Sequence, residues 1–167
     1  MGSEMCIRDS SYKVDKSNRY PVDCFKKEFS AKENIKSARL YATACGIYSA
    51  YINDEKVSMP LAPGVTDYKK RVQYQTYDVT SLIKKNNVIN IDLADGWYRG
   101  SCGAWGLKNQ YGTETKILAQ LEITYQNGKV DTVITDESWL WSNDGACLLY
   151  TSPSPRDLST SRMPSSA

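Results

Sequence analysis

The stretch Asp95-Gly96-Trp97-Tyr98-Arg99-Gly100 sets a carboxylate, two aromatic rings and a guanidinium between glycines. Gly103-Ala104-Trp105-Gly106 and Asn109-Gln110-Tyr111-Gly112 follow it closely. These residue types suit sugars. A ring face packs on C–H groups while a hydroxyl or indole N–H reaches a polar partner, and carboxylate and guanidinium groups make short charge-assisted hydrogen bonds. Each also has a structural reading. Asp95 and Arg99 either pair across the loop or bond sugar hydroxyls, and Trp97 and Trp105 either pin the loop or form a platform. Asp67-Tyr68 is another polar-aromatic pair, and Asn53-Asp54 reads most simply as a hairpin tip.

Other chemistries are poorly served. The chain has no histidine, so Ser-His and Cys-His nucleophilic arrangements cannot form. No phosphate-binding glycine loop of the P-loop or dinucleotide type is present. Carboxylates are plentiful: Asp92, Asp95, Glu114, Glu122, Asp136 and Glu137. Glycoside hydrolysis needs two of them about 5–10 Å apart, a separation between loops that spacing in sequence does not define. Catalysis by these residues alone is not expected.

The elements that must hold this loop read as strands. Cys24–Phe29 is a short opening strand, and Ser37–Thr43 alternates, with Ala38, Leu40, Ala42 and Ala44 on one face. After Gly46, Ile47–Ile52 resumes, and Asn53-Asp54-Glu55 turns back into Lys56-Val57. Met59–Gly64 carries two prolines and a glycine, as a loop does. Val72–Val79 and Val88–Leu93 alternate, with a short turn over Thr80–Lys85 between them. Asp95–Gly112 is a long loop, a kind that is often functional. Lys116–Tyr125 and Lys129–Thr135 flank Asn127-Gly128, a strong hairpin signal. Trp139-Leu140-Trp141 reads as a last strand. No stretch keeps a helical period long enough for an amphipathic helix. Short strands with almost no helix predict an all-β antiparallel β-sandwich or jelly roll, galactose-binding-domain-like.

Composition agrees. There are 12 Tyr and 4 Trp against 2 Phe, and Tyr and Trp suit half-buried strand surfaces. The net charge of +2 is too weak to point to nucleic acid or an anionic membrane as a partner, and no apolar run approaches the ~18 residues of a membrane span. Cys24, Cys45 and Cys102 are scattered, which argues for thiols rather than a disulfide framework.

The two ends read as opposite strands of one DNA. Met5–Ser10 (MCIRDS) fits ATG TGT ATA AGA GAC AGC, and Cys147–Ser152 (CLLYTS) fits TGT CTC TTA TAC ACA TCT, most of whose reverse complement lies within the first string. Both resemble a transposase sequencing adapter, and Ser161–Ala167 fits the flow-cell primer beyond it. Residues 1–10 and 147–167 are therefore expected to be translated adapter, disordered and outside the fold. Residues 11–146 are expected to form the one domain, a fragment of a longer gene.

Within that fragment Ser37–Tyr41, Gly46-Ile47-Tyr48, Tyr51-Ile52-Asn53, Leu61-Ala62-Pro63-Gly64, Thr66-Asp67-Tyr68, Arg71–Thr80 (RVQYQTYDVT) and Asp95–Gly100 (DGWYRG) occur in order. Together they resemble the N-terminal β-sandwich domain of bacterial α-L-rhamnosidases, multidomain enzymes of glycoside hydrolase family 78. The resemblance implies a non-catalytic accessory domain that shapes or assists recognition of rhamnose-containing glycans. It places the catalytic acids in a downstream (α/α) barrel of the parent chain, implies no cofactor beyond a possible calcium ion, and marks Asp95, Trp97, Tyr98 and Arg99, then Asp67 and Tyr68, for sugar contact. Trp105 joins them from the loop itself. The sequence departs from the family pattern at Val65 (usually Trp), Asp54 (usually Gly) and Ala94 (usually Gly). A stand-alone carbohydrate-binding module is the alternative. The compartment stays open, with a periplasmic or secreted location fitting glycan degradation.

Overall fold

Strand alternation becomes two facing sheets because each strand has one apolar face to bury. The computed structural model describes residues 7–8, 20–101 and 108–143. In chain order the strands are β1 (Ile7–Arg8), β2 (Asp23–Ser30), β3 (Ile35–Cys45), β4 (Ile47–Ile52), β5 (Glu55–Lys56), β6 (Gln75–Asp78), β7 (Asn86–Ala94), β8 (Lys116–Tyr125), β9 (Val130–Ile134) and β10 (Leu140–Ser142). A 3₁₀ turn covers Thr80–Leu82, and one helical turn, α1, covers Gly96–Arg99.

The pairing is antiparallel throughout. One sheet runs β8-β3-β6, with β9 and β1 sharing the other edge of β8; the second runs β10-β2-β7-β4-β5. Ala38, Leu40, Ala42 and Ala44 of β3 all point inward, as their spacing predicts, and meet Ile117, Leu121 and Ile123 of β8. Across the core stand Phe25 of β2, Tyr48, Ala50 and Ile52 of β4, and Ile89, Ile91 and Leu93 of β7. Each large side chain fully buried here contributes about 1.5–3 kcal/mol. The alanines of β3 let the sheets approach closely around Tyr48, whose hydroxyl donates to the Ala42 carbonyl at 3.2 Å.

Two turns follow from local chemistry. Asn53 and Asp54 both take positive φ, 51° and 69°, as a tight primed hairpin turn requires. The Asn53 side chain is used inside the fold: its amide donates to the Leu82 carbonyl (2.8 Å) and to Asn87 Oδ1 (3.0 Å), and its oxygen accepts from Val88 N (3.0 Å). Asn127-Gly128 closes β8 onto β9, with Gly128 at φ 80°.

Some strand bounds differ from expectation. Val72–Val79 shortens to β6, since beyond Gln75 the segment has left the edge of β3 and is held instead by Thr43 Oγ1 donating to the Gln73 carbonyl at 2.5 Å. Of the residues read as adapter, Ile7–Arg8 is described, as a two-residue strand on Lys116–Ile117 of β8. The rest of those segments, residues 1–6, 9–10 and 147–167, lie outside the described residues.

Candidate functional site

The strand ends fix where the aromatic loop must sit. β3 ends at Cys45, β7 ends at Ala94, and β4 and β8 begin at Ile47 and Lys116, so all four meet at one end of the sandwich. Gly46 and Gly96 make that end possible. A Cβ on Gly96 (φ 53°) would lie 2.7 Å from Ile47 Cγ2 and 2.9 Å from Ile47 N, so only glycine lets α1 start so near the β3–β4 turn.

One helical turn brings Asp95 and Arg99 onto the same side, four residues apart. The Arg99 Nε and Nη2 both donate to Asp95 Oδ1 at 2.6 Å. The Arg99 side chain is 1% exposed and that of Asp95 24%. The Tyr20 ring lies beneath the guanidinium, 4.3 Å from Cζ to centroid, within cation–π range. The Arg99 carbonyl accepts from Asn109 N at 3.0 Å and the Tyr98 carbonyl from Tyr111 N at 3.3 Å. The two ends of the loop are thus drawn onto α1.

Beside this pair three tyrosines pack together. Tyr68 meets Tyr98 edge-on and Tyr111 at a tilt, with centroids 5.1 Å apart in both cases, while Tyr98 and Tyr111 lie 6.4 Å apart and nearly parallel. These are favourable aromatic geometries. The Tyr68 hydroxyl points to the Gly64 carbonyl at 3.4 Å. Trp97 packs half-buried on Val22, Ile47 and Ala94, outside the main core. Asp67 is exposed and caps its own turn, accepting from Lys69 N at 3.2 Å and pairing with Lys70 at 3.5 Å. Val65, where the family pattern has tryptophan, is 58% exposed.

Of the sequence-marked residues, Asp95, Trp97, Tyr98 and Arg99 share α1 and its cap, and Tyr68 joins them through its ring. Asp67 stands on the adjoining turn. Trp105 lies outside the described residues. Tyr111 and Tyr20 complete the arrangement. Tyr111 was visible within the glycine-rich loop, whereas nothing in the sequence marks Tyr20. Among the described residues no group of three or more His, Cys, Asp or Glu gathers that could hold a metal ion. No helix of the described residues is long and apolar enough to cross a membrane.

Burial tunes several of these groups. It pushes the Tyr68 hydroxyl up to about 12, with Cys45, Tyr111 and Tyr98 adding to the effect. Tyr98 is raised by burial and then by Cys45. On the outer face of the second sheet, Asp92 stands in register between Cys24 and Ser49. Burial raises Asp92, and burial and then Asp92 push the Cys24 thiol up to about 11. Folding therefore favours the neutral forms of Tyr68 and Cys24. Their contribution to stability is complete below the unfolded values, about 10 for Tyr and about 8.5 for Cys. It is lost as pH rises through about 11 for Cys24 and about 12 for Tyr68. Melting temperatures followed upward in pH should fall in that window, and Tyr68→Phe should flatten the upper part of the fall; an unchanged slope would contradict it.

Two antiparallel sheets packed face to face, with the aromatic loop at one end, make the chain an all-β sandwich. Residues 33–151 match the family model described as the α-L-rhamnosidase N-terminal domain, and the chain belongs to that family. The match runs past Ala146, into the segment read as adapter. The chain is 46% identical over 109 residues to an α-L-rhamnosidase of Streptomyces avermitilis, covering 64% of this chain and 10% of that protein. It is 36% identical over 141 residues to one from an Alteromonas species, covering 82% and 15%. The chain thus spans a small part of the curated relatives it matches. Among solved structures, the α-L-rhamnosidase of Aspergillus terreus superposes with a TM-score of 0.76 at 37% identity, covering 81% of this chain and 16% of that one. The Streptomyces avermitilis enzyme complexed with L-rhamnose gives 0.71 at 41% identity, covering 75% and 12%. A Pleurotus ostreatus lectin, at 20% identity and a TM-score of 0.56, shares the fold.

Proposed function

We propose that this domain is a non-catalytic accessory module of an α-L-rhamnosidase, which assists recognition of rhamnose-containing glycan by a catalytic barrel carried elsewhere in the parent chain. The observation that carries this reading is the state of Asp95. It is the one carboxylate of the aromatic motif, and its Oδ1 is already held by two guanidinium nitrogens at 2.6 Å. A glycosidase acid must reach the leaving oxygen to give it a proton, and Asp95 Oδ1 is turned instead onto the Arg99 guanidinium. Asp95 and Arg99 act from behind, as the brace that sets α1. Trp97, Tyr98 and Tyr68, which are only partly buried, are the rings left to meet C–H faces of a sugar, with Asp67 beside them.

Deleting the domain from the full gene product tests the reading. Turnover of a small aryl rhamnoside should persist, while KM for a rhamnose-bearing polysaccharide should rise. An unchanged KM for the polymer would contradict it, as would a gene that encodes no further domain.

A further inference from the structure

A concavity lies away from the aromatic loop, on the outer face of the sheet that holds β3 and β8. It measures about 410 Å³, within the ~300–1,000 Å³ usual for small-molecule sites. The register builds its floor. Tyr41 of β3 stands opposite Gln120 of β8, Thr43 stands opposite Leu118, and Gln120 is in turn opposite Ile134 of β9. Val72 and Tyr74, the segment that left the edge of β3, line it as well. Both are exposed, Tyr74 at 67%.

Two features distinguish this groove from an ordinary half-exposed sheet face. It is set before any ligand arrives: the Thr43 hydroxyl ties the Val72–Tyr74 segment down through the Gln73 carbonyl, and the Gln120 amide donates to Glu122 at 2.7 Å. It is also two-natured, with apolar Leu118, Ile134 and Val72 and the Tyr41 and Tyr74 rings against one amide–carboxylate pair. We infer that this groove is a second saccharide site, selective for a deoxy sugar of the rhamnose type. L-rhamnose is L-mannose with its C6 hydroxyl replaced by hydrogen. Its methyl group and C–H face suit the apolar floor and the rings, its hydroxyls suit Gln120 and Glu122, and a C6 hydroxyl set on Leu118 and Ile134 would lose its water without a partner. The inference rests on the accessory-module reading for its ligand class, and on the groove for its place.

The test is an NMR titration of the whole chain with L-rhamnose, and in parallel with L-mannose. Saturable shifts are expected at Leu118, Tyr41 and Tyr74, with L-rhamnose binding about fourfold or more tightly than L-mannose. Tyr74→Ala, at an exposed position where folding is not at stake, should weaken binding about three- to tenfold. Shifts confined to Trp97, Tyr98 and Tyr68, with Tyr74→Ala silent, would overturn the groove and leave the accessory reading standing. Equal affinity for the two sugars would overturn the deoxy-sugar selectivity. No saturable shift at either place would overturn both the groove and direct glycan contact by the domain.

Discussion

Replacing Asp95 by alanine is expected to lower the free energy of unfolding by about 3–5 kcal/mol, the range for removing one member of a buried ion pair. The asymmetry of the pair sets this size. Arg99 is almost wholly buried, while the Asp95 side chain keeps a quarter of its surface in water. Removing the acid takes one partner from a cation that water cannot reach; removing the arginine leaves an acid that water can still solvate. Asp95→Asn, which keeps an acceptor oxygen, should fall between wild type and Asp95→Ala. The Tyr20 ring under the guanidinium softens the loss without replacing the charge. Urea unfolding with linear extrapolation reads the difference directly. A loss below about 1 kcal/mol, the range of exposed ion pairs, would show that the pair does not brace α1.

Gly46→Ala is expected to be comparably severe. At φ 142° the residue sits where L side chains rarely go, and a Cβ there would lie 2.5 Å from the Ala94 carbonyl oxygen. Backbone strain costs about 1–3 kcal/mol, and forcing packed backbone apart costs about 1–3 kcal/mol more. The displaced atom belongs to the last residue of β7, immediately before Asp95. The variant should therefore disturb the site as well as the fold, seen as shifted Tyr98 and Tyr111 resonances together with a lower urea midpoint. A variant of wild-type stability would contradict this reading of the β3–β4 turn.

The fold was largely legible because half-buried strands write a period of two. Ile47–Ile52 and Lys116–Tyr125 fall on their expected bounds, and Ala38, Leu40, Ala42 and Ala44 all face the core. The alternation over Val72–Tyr74 misled as to length, since a period of two persists where no neighbouring strand remains to pair. α1 was invisible within the loop Asp95–Gly112, because four residues are too few to show a helical period. The site was legible in its residue types and less so in their roles. Asp95 and Arg99 stood open between pairing with each other and bonding a ligand, and spacing of four residues could not exclude either without the turn that unites them. Tyr20, far back in the chain and flanked by no motif, carries no local signal of the ring it places under Arg99.

We propose that the chemistry of hydrolysis resides outside this chain. Hydrolysis of an aryl α-L-rhamnoside by the purified chain tests it most directly. The expected rate is that of the buffer alone, unchanged by Asp95→Asn. Turnover above that background which disappears in Asp95→Asn would contradict the claim and make the aromatic loop an active site.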